Sequence, residues 1–254
     1  MKELEIIGVS SILQGGITKI GTISILGKGG VGLVVKVERN DRKTYALKIR
    51  RIDASRSSMD REGNLHRIAN TAGVGPSIFA NTKNFILMEF IDGLNIIGWL
   101  NQQSIKVDQV RRVVISTLEQ CYNLDRAHLD HGELNCLARH VLIPESVDPR
   151  IIDFETASID RKTTNVTAAA HSLLLHGRIS RRVGKLIGFV ERETMLRLLR
   201  VYKRDQTRQN FEKIYNRFDR LDEQIFCEIV SLLLKELDMF VWSQLKLLQH
   251  VHQF

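Results

Sequence analysis

The chain has 254 residues, of which 43% are hydrophobic and 26% charged, and its formal net charge is +8. This composition argues against wholesale disorder, and the apolar stretches are too short to span a bilayer, so we expect no membrane segment. The three cysteines are widely spaced, which argues against a disulfide framework or a four-cysteine zinc site. The N-terminus lacks the apolar core of a signal peptide, so we expect reduced thiols and a cytoplasmic location.

The first part of the chain has the pattern of β-strands. The stretches ITKIGTISILG, GLVVKVER and KTYALKIRRI alternate apolar and polar residues, and they predict three antiparallel strands within residues 18–52. A helix should follow in SSMDREGNLHRIAN. We expect Ser58 to be its N-cap and Leu65, Ile68 and Ala69 to form its apolar side.

The pattern then changes from strands to helices. NFILMEFIDG predicts a strand that ends at Gly93, and apolar residues recur at helical spacing from Val107 to Tyr122 and from Ile225 to Val241. We therefore expect an α+β fold in two lobes. Residues 1–90 would form a small antiparallel β-rich N-lobe, and residues 91–254 a larger helical C-lobe.

A glycine-rich turn follows the first predicted strand. GKGGVGLV places Gly27, Gly29 and Gly32 in the G-x-G-x-x-G spacing, with Val34 two residues later. Glycines allow a backbone to approach a polyphosphate and to aim N–H groups at it. A dinucleotide-binding turn should lead into a helix, whereas this one leads into a strand, as expected of a hairpin that covers a nucleotide. The alternative is an ordinary glycine hairpin.

The next strand carries a lysine among apolar residues. Lys48 in YALKI points the same way as Ala46, and a charge directed inward there needs a partner. We interpret Glu62, on the predicted helix, as that partner, with Asp60 as a competitor. Such a pair would orient the lysine toward α- and β-phosphates. The alternative is an exposed lysine and an acid on a solvated helix face.

Polar side chains cluster in LDHGELNCLARHVLI. His131, Glu133 and Asn135 precede its short apolar run, and Asp153 follows the next such run, in IIDFETAS. The pattern is compatible with a metal site, a phosphoryl-transfer loop or a polar turn. A zinc site would need neither the glycine turn nor the lysine, and it leaves Asp153 unexplained. Its ligands would be His128, His131, Cys136 and His140. We expect the nearby acids Asp125 and Asp130 to lie on the surface.

Together these motifs resemble the protein-kinase superfamily. HGEL, at 131–134, stands where kinases have H-R-D-L, and DFE, at 153–155, stands where they have D-F-G. Glu155 replaces the glycine, where it would stiffen the turn or add a second acid. The chain is similar to small atypical kinases: the RIO type, the kinase of the KEOPS tRNA-modification complex, and archaeal-type predicted serine/threonine kinases. The resemblance implies a two-lobed kinase-like fold and an ATP-dependent, Mg²⁺-requiring atypical serine/threonine protein kinase.

The resemblance also implies roles for individual residues. Lys48 and Glu133 would be catalytic, because Lys48 would clamp the phosphates and Glu133 would orient the acceptor hydroxyl. Asp153 would hold Mg²⁺, and the backbone of MEFIDG would bind adenine. The residues expected to bind ATP are Gly27, Gly29, Gly32, Val34, Ala46, Lys48, Glu62 and Glu89.

Three departures from the kinase pattern leave catalysis open. Glu133 replaces the catalytic aspartate, Gly132 replaces an arginine, and Ala138 stands where a metal-binding asparagine is expected. His140 and Asn135 are the candidates to replace that asparagine, although Mg²⁺ prefers oxygen ligands. Two alternatives therefore remain: a non-catalytic nucleotide-binding scaffold, or a small-molecule kinase of the aminoglycoside-phosphotransferase type. The sequence does not identify the phosphate acceptor.

Positive charge is concentrated in residues 178–220, which contain 13 lysines and arginines and five acids. This surplus predicts a docking surface for an acidic partner, with RNA as the working hypothesis, and the alternative is a solvated helix surface. The cations expected to share one helical face are Arg197, Arg200, Lys203, Arg204 and Arg208. The apolar residues expected to turn inward are Leu196, Leu199 and Val201.

Overall fold

The computed structural model describes residues 2–219, with the side chains of residues 217–219 left undescribed. Within this part the chain has a mixed α+β fold with antiparallel sheets, and this coarse prediction is confirmed. The predicted apolar stripe from Ile225 to Val241 lies outside the described residues.

Eleven short strands occur within residues 2–219, and all of their pairings are antiparallel. They are β1 (Val9–Leu13), β2 (Thr18–Ile20), β3 (Ile23–Ile25), β4 (Gly27–Lys28), β5 (Gly32–Arg39), β6 (Thr44–Arg50), β7 (Ile78–Asn81), β8 (Phe85–Glu89), β9 (Gly93–Asn95), β10 (Val141–Pro144) and β11 (Arg150–Ile151).

The same part of the chain contains nine α-helices, a 3₁₀ turn and a π-helical segment. The helices are α1 (Lys2–Ile6), α2 (Asp60–Thr71), α3 (Ile96–Leu100), α4 (Val107–Arg126), α5 (Leu137–His140), α6 (Asn165–Ala170), α7 (Gly177–Ile187), α8 (Arg192–Arg204) and α9 (Arg208–Asp219). The 3₁₀ turn spans Leu134–Cys136 and the π-helical segment spans His171–Leu175. None of these described helices is long and apolar enough to cross a bilayer.

The main sheet has the strand order β1-β5-β6-β8-β7, with β4 beside β5. Successive side chains of a strand point to opposite faces, and directly paired residues share a face. One face forms an apolar core that includes Val35, Leu47 and Leu87. On β5 and β6, Val34 pairs with Lys48, so both side chains lie on the other face, toward the candidate site.

The helical part packs around α4. Val110, Val114, Leu118 and Cys121 are fully buried at the predicted helical spacing, and they belong to one large core with residues of α6, α7 and α8. Val107, the first member of the predicted stripe, is 43% exposed, because it is also the first residue of the helix. A small sheet of order β11-β10-β9 lies beside this core.

Three local predictions differ from the structure. The first predicted strand is divided, since a turn at Gly21 (φ 57°) folds β2 and β3 into a hairpin before β4. The strand β8 ends at Glu89, and Gly93 instead begins β9, which pairs with β10. Ser58 is not the N-cap of α2, because the helix starts at Asp60 after Met59, whose side chain is anchored in a buried cluster.

Candidate functional site

A buried lysine forms the centre of the candidate site. Nζ of Lys48, on β6, lies 2.6 Å from Oε1 of Glu62, on α2, and the two side chains are 5% and 4% exposed. The structure thus brings together the two residues that the sequence paired across strand and helix. A buried charge is tolerated when it is paired and hydrogen-bonded, as it is here.

Two further acids reach the same lysine from a distant part of the chain. Nζ of Lys48 also donates to Oδ1 of Asp153 at 2.9 Å and to Oε2 of Glu155 at 3.1 Å. Arg56 donates to the backbone carbonyl of Glu155 at 2.7 Å and so helps to hold this segment against the sheet. Three carboxylates therefore share one ammonium group, and the four side chains together carry a net charge of −2 when ionised.

Burial and charge act in opposite directions in this cluster. Burial on its own lowers the pKa of Lys48, but the charges and hydrogen bonds of Glu62 and Asp153 outweigh it, and the pKa is raised. Burial raises the pKa of Glu62, whose Oε2 atom is buried with no hydrogen-bond partner among the described residues. Burial also opposes ionisation of Asp153, yet the charge of Lys48 holds the pKa of that carboxyl below its usual value. Lys48 and Asp153 are thus both charged at neutral pH.

The glycine-rich turn lies directly over this cluster. The N–H of Gly29 donates to the carbonyl of Gly32 at 2.8 Å, which closes the turn between β4 and β5. A Cβ atom on Gly32 would lie 3.0 Å from Cε of Lys48, so the missing side chain makes room for the lysine. A Cβ atom on Gly29 would lie 3.4 Å from Oε2 of Glu155. The carboxylate of Glu155 therefore sits between the turn and Lys48.

The remaining predicted nucleotide residues lie around the same sheet. Gly27 belongs to β4, and Val34 and Ala46 lie on the Lys48 face of β5 and β6. Glu89, at the end of β8, directs its side chain elsewhere: its carboxylate lies 2.6 Å from Arg150 and accepts from the N–H of Ser77. Glu89 could therefore contribute to an adenine site only through its backbone, whose N–H already donates to the carbonyl of Ser77 at 2.8 Å.

Asp153 has a strained backbone. Its φ of 69° lies in the left-handed region, which costs a residue with a side chain on the order of 1–2 kcal/mol. The next residue, Phe154, is fully buried between two imidazole rings, at 4.7 Å from His66 of α2 and 5.2 Å from His131. This aromatic column fixes the segment and aims the Asp153 carboxylate back at Lys48. Strain of this kind is common at functional sites.

Hydrogen bonds connect the loop that contains His131 and His140 to the residues around Asp153. The side chain of His131 contacts the carbonyl of Ile152 at 3.0 Å, and the N–H of Ile152 donates to the carbonyl of His140 at 2.9 Å. Nε2 of His140 lies 3.5 Å from Oε2 of Glu133, whose side chain is 44% exposed. Glu133 can thus meet a molecule from solvent, while buried His140 contacts it from behind.

Gly132 is required by the geometry of this loop. Its φ is 90°, and a Cβ atom there would lie 2.6 Å from Nη2 of Arg161 and 3.1 Å from the carbonyl of Thr156. A side chain at the position aligned with the kinase arginine would therefore be strained by this φ and crowded by the carbonyl of Thr156.

Two acids that we expected on the surface are buried and support the loop. Asp125 accepts from the backbone and side chain of Asn165 and from the hydroxyl of Tyr202, and Asn165 in turn accepts from the N–H of His131 at 2.9 Å. Asp130 accepts from the N–H and hydroxyl of Thr164. The prediction was wrong because the partners of Asp125 and Asp130 lie at Thr164, Asn165 and Tyr202, 34 to 77 positions along the chain, where no local pattern points to them.

The fit of a metal ion can be tested on the same side chains. No group of three or more His, Cys, Asp or Glu within residues 2–219 could hold a metal by protein ligands alone, which argues against the zinc alternative. Mg²⁺ needs less, because it is usually held by one or two carboxylates, waters and substrate phosphates. Asp153 fits this requirement, since only Oδ1 binds Lys48 and the side chain is 36% exposed. His140 contacts Glu133, and Asn135 lies exposed on the 3₁₀ turn.

The basic segment does not form one continuous helical face. Arg197, Arg200, Lys203 and Arg204 are exposed on α8, but Arg208 begins α9 and pairs with Glu119 and Glu212.

The apolar residues predicted to turn inward on α8 are buried to different extents. Leu199 is buried, as expected, and Leu196 is half-buried. Val201 is 44% exposed, so its predicted inward position is wrong. The inward residues of α8 are Met195, Leu199 and Tyr202, because the helix turns a different face to the core.

A large open cavity lies away from Lys48. It has a volume of about 930 Å³ and follows the link between β8 and α3, with Trp99 and Ile143 among its lining residues. Neither Lys48 nor Asp153 borders it. We place the candidate site by the convergence of Lys48, Glu62 and Asp153, because charged side chains rather than volume determine the chemistry.

No protein-family model matches the chain, and no curated protein matches it significantly.

Proposed function

We propose that the chain is an ATP-dependent, Mg²⁺-requiring phosphotransferase with a two-lobed kinase-like fold, and specifically an atypical serine/threonine protein kinase of the cytoplasm. The observation that carries the proposal is the environment of Lys48. A buried ammonium group contacts Glu62 at 2.6 Å and Asp153 at 2.9 Å beneath a glycine-rich turn. These are the parts that a phosphate clamp requires.

Phosphoryl transfer depends on positioning and charge neutralisation more than on covalent chemistry. In the proposal Lys48 binds phosphate oxygens, the turn from Gly27 to Gly32 covers them, and Asp153 holds Mg²⁺. The bound ion would neutralise phosphate charge. The acids outnumber the one lysine at the site, which disfavours a free polyphosphate, so ATP should bind here as its Mg²⁺ complex.

Glu133 is proposed to receive the acceptor hydroxyl. Its exposed carboxylate can accept a hydrogen bond from a hydroxyl and take its proton, as a general base does. The contact with His140 at 3.5 Å would keep the carboxylate directed toward the acceptor side. A protein serine or threonine, or the hydroxyl of a small molecule, would meet the same group.

One observation favours a second candidate, a non-catalytic nucleotide-binding scaffold. The carboxylate of Glu155 lies 3.1 Å from Lys48, next to the glycine turn, where a phosphate would be expected. An acid in that position competes with phosphate for the lysine. A chain whose acid is never displaced would not transfer phosphate.

The experiment that separates these candidates follows the γ-phosphate. Purified protein is incubated with Mg²⁺ and ATP labelled at the γ-phosphate, alone, with a mixture of protein acceptors, and with aminoglycosides. The proposal predicts labelled protein, from the chain itself or from an acceptor, and loss of label in the Glu133→Gln variant. Labelled aminoglycoside alone would indicate the small-molecule kinase. ATP binding without any transfer would support the scaffold.

A further inference from the structure

A second, smaller cavity lies between α3 and α7, and its chemistry differs from that of the Lys48 site. Its volume is about 290 Å³, and its apolar wall includes Ile97 and Leu100. Four cations of α7 line it: Arg178, Arg181, Arg182 and Lys185. None of the described residues that line this cavity carries a carboxylate.

The four cations are held in a defined arrangement. Arg178, Arg181 and Lys185 are exposed and lie three or four residues apart, so their side chains share one face of α7. Arg182 is half-buried, and its Nε donates to the carbonyl of Leu100 at 2.9 Å, which fixes the guanidinium at the cavity wall.

Within residues 2–219 these cations lack the acidic partners that other cations have. Arg112 pairs with Asp148, and Arg150 pairs with Glu89, whereas no carboxylate within residues 2–219 pairs with any of the four cations of α7. Like charges four residues apart, such as Arg178 and Arg182, destabilise a helix by a few tenths of a kcal/mol. An anion in the cavity would remove this repulsion.

We propose that this cavity binds the phosphate backbone of a nucleic acid. Arginine presents paired donors that match phosphate oxygens, and three of the four cations are arginines. From Arg178 to Lys185 the helix rises roughly 10 Å, which is longer than a single phosphate group and suits a repeating anion. The exposed cations of α8, Arg197, Arg200, Lys203 and Arg204, add charge of the same sign.

The residues that line the cavity also determine whether the base sequence of a nucleic acid would be recognised. No aromatic side chain among residues 2–219 borders the cavity, so this part of the chain offers no surface there on which bases could stack. Contacts to phosphates fix position and carry no sequence information directly. Binding should therefore be independent of base sequence. None of the cavity residues belongs to the Lys48 site, so this inference does not depend on the proposed kinase activity.

The test is fluorescence anisotropy with labelled 20-nucleotide poly(U) RNA over a range of salt concentrations. The Arg178→Gln/Arg181→Gln/Lys185→Gln variant should weaken binding at least about tenfold and reduce the slope of log affinity against log salt by about 2, since each phosphate contact on a single strand contributes about 0.7. Arg182 is left intact because it anchors α7 to α3. Circular dichroism establishes that the variant is folded.

Two controls make the result specific. The Lys2→Gln/Lys19→Gln/Lys43→Gln variant removes the same charge from exposed positions elsewhere and should retain most of the affinity. A Lys48→Met/Glu62→Gln variant should bind RNA normally even if it no longer binds ATP. Equal affinity of the wild type and the α7 variant would overturn the proposal. A strong preference among poly(U), poly(A) and mixed sequences, or binding of a phosphoserine peptide in place of RNA, would overturn it as well.

Discussion

Nζ of Lys48 and Oε1 of Glu62 lie 2.6 Å apart, and neither side chain is more than 5% exposed. The pair joins β6 to α2, so it contributes to the fold as well as to the candidate site. Breaking a buried ion pair by removing one partner typically costs about 3–5 kcal/mol, because the other charge is left buried. Variants of Lys48 must therefore be designed so that lost folding is not mistaken for lost function.

We expect Lys48→Met to lower the free energy of unfolding by about 3 kcal/mol at pH 7.5, because Glu62 would be left buried without its cation. Lys48→Met/Glu62→Gln should recover at least half of this loss, since neither member of the pair is then charged. Urea denaturation of the wild type and the two variants measures both effects. A single variant as stable as the wild type, or a double variant no more stable than the single one, would contradict the ion-pair account.

Glu155 should compete with nucleotide for Lys48. We expect Glu155→Gln to bind Mg²⁺-ATP about fivefold more tightly, because removing a like charge about 4 Å away is worth on the order of 1 kcal/mol. Glu145→Gln, which removes the same charge at an exposed position, is the matched control. Calorimetric titration gives the two affinities. Weaker binding in Glu155→Gln would show that this acid assists the nucleotide, as a second metal ligand would.

Asp153 should be required for Mg²⁺ to strengthen the binding of ATP. A ligand that binds the folded state raises the melting temperature, and Mg²⁺ should add to the increment produced by ATP. In Asp153→Asn this additional increment should disappear, whereas Glu133→Gln should retain it. Thermal denaturation with ATP and EDTA, and then with ATP and Mg²⁺, makes the comparison. An unchanged increment in Asp153→Asn would contradict the role of Asp153, and Glu155 would become the candidate ligand of Mg²⁺.

Two buried histidines should make the protein acid-sensitive. Burial lowers the pKa of His66 and that of His131 to about 4, while an unfolded chain has a value of about 6.5. The unfolded state therefore binds protons that the folded state does not, and stability falls as the pH drops from 6.5 toward 4. Each histidine contributes a slope of about 1.4 kcal/mol per pH unit once the unfolded form is protonated.

The variant His66→Gln should reduce this slope by about 1.4 kcal/mol per pH unit between pH 6 and pH 5. His171→Gln, which makes the same substitution at an exposed position, is the matched control. Urea midpoints measured at several pH values give the slopes, which do not depend on any packing defect of the variant. An identical slope in His66→Gln would mean that this histidine is protonated in the folded protein.

Local patterns predicted many of the elements. The alternation in GLVVKVER and KTYALKIRRI corresponds to β5 and β6, and the helical spacing after Val107 corresponds to α4. These periodicities follow from burial of one face, so they are visible in a single sequence. The strands β1 and β7 were not predicted, because each is short and pairs with a strand that is distant or irregular in register.

The candidate site was only partly visible in the sequence. Lys48 and Glu62 could be proposed because a charge among apolar residues needs a partner, and Asp153 because it follows a short apolar run in a motif that resembles D-F-G. The contact of Glu155 with Lys48 joins residues 107 positions apart, and its geometry depends on the column formed by His66, Phe154 and His131. The buried role of Asp125 likewise depends on Asn165, 40 positions away. Long-range contacts of this kind leave no periodic signal.

The most direct test of the account is whether Mg²⁺-ATP binds at Lys48. Isothermal titration compares the wild type with Lys48→Met/Glu62→Gln, in which the pair is neutral and the fold is expected to be retained, and with Lys43→Met at an exposed lysine. We predict that the double variant loses at least about tenfold in affinity, or roughly 1.4 kcal/mol, and that Lys43→Met matches the wild type. Equal affinity in all three proteins, or no binding of Mg²⁺-ATP to the wild type, would contradict the account.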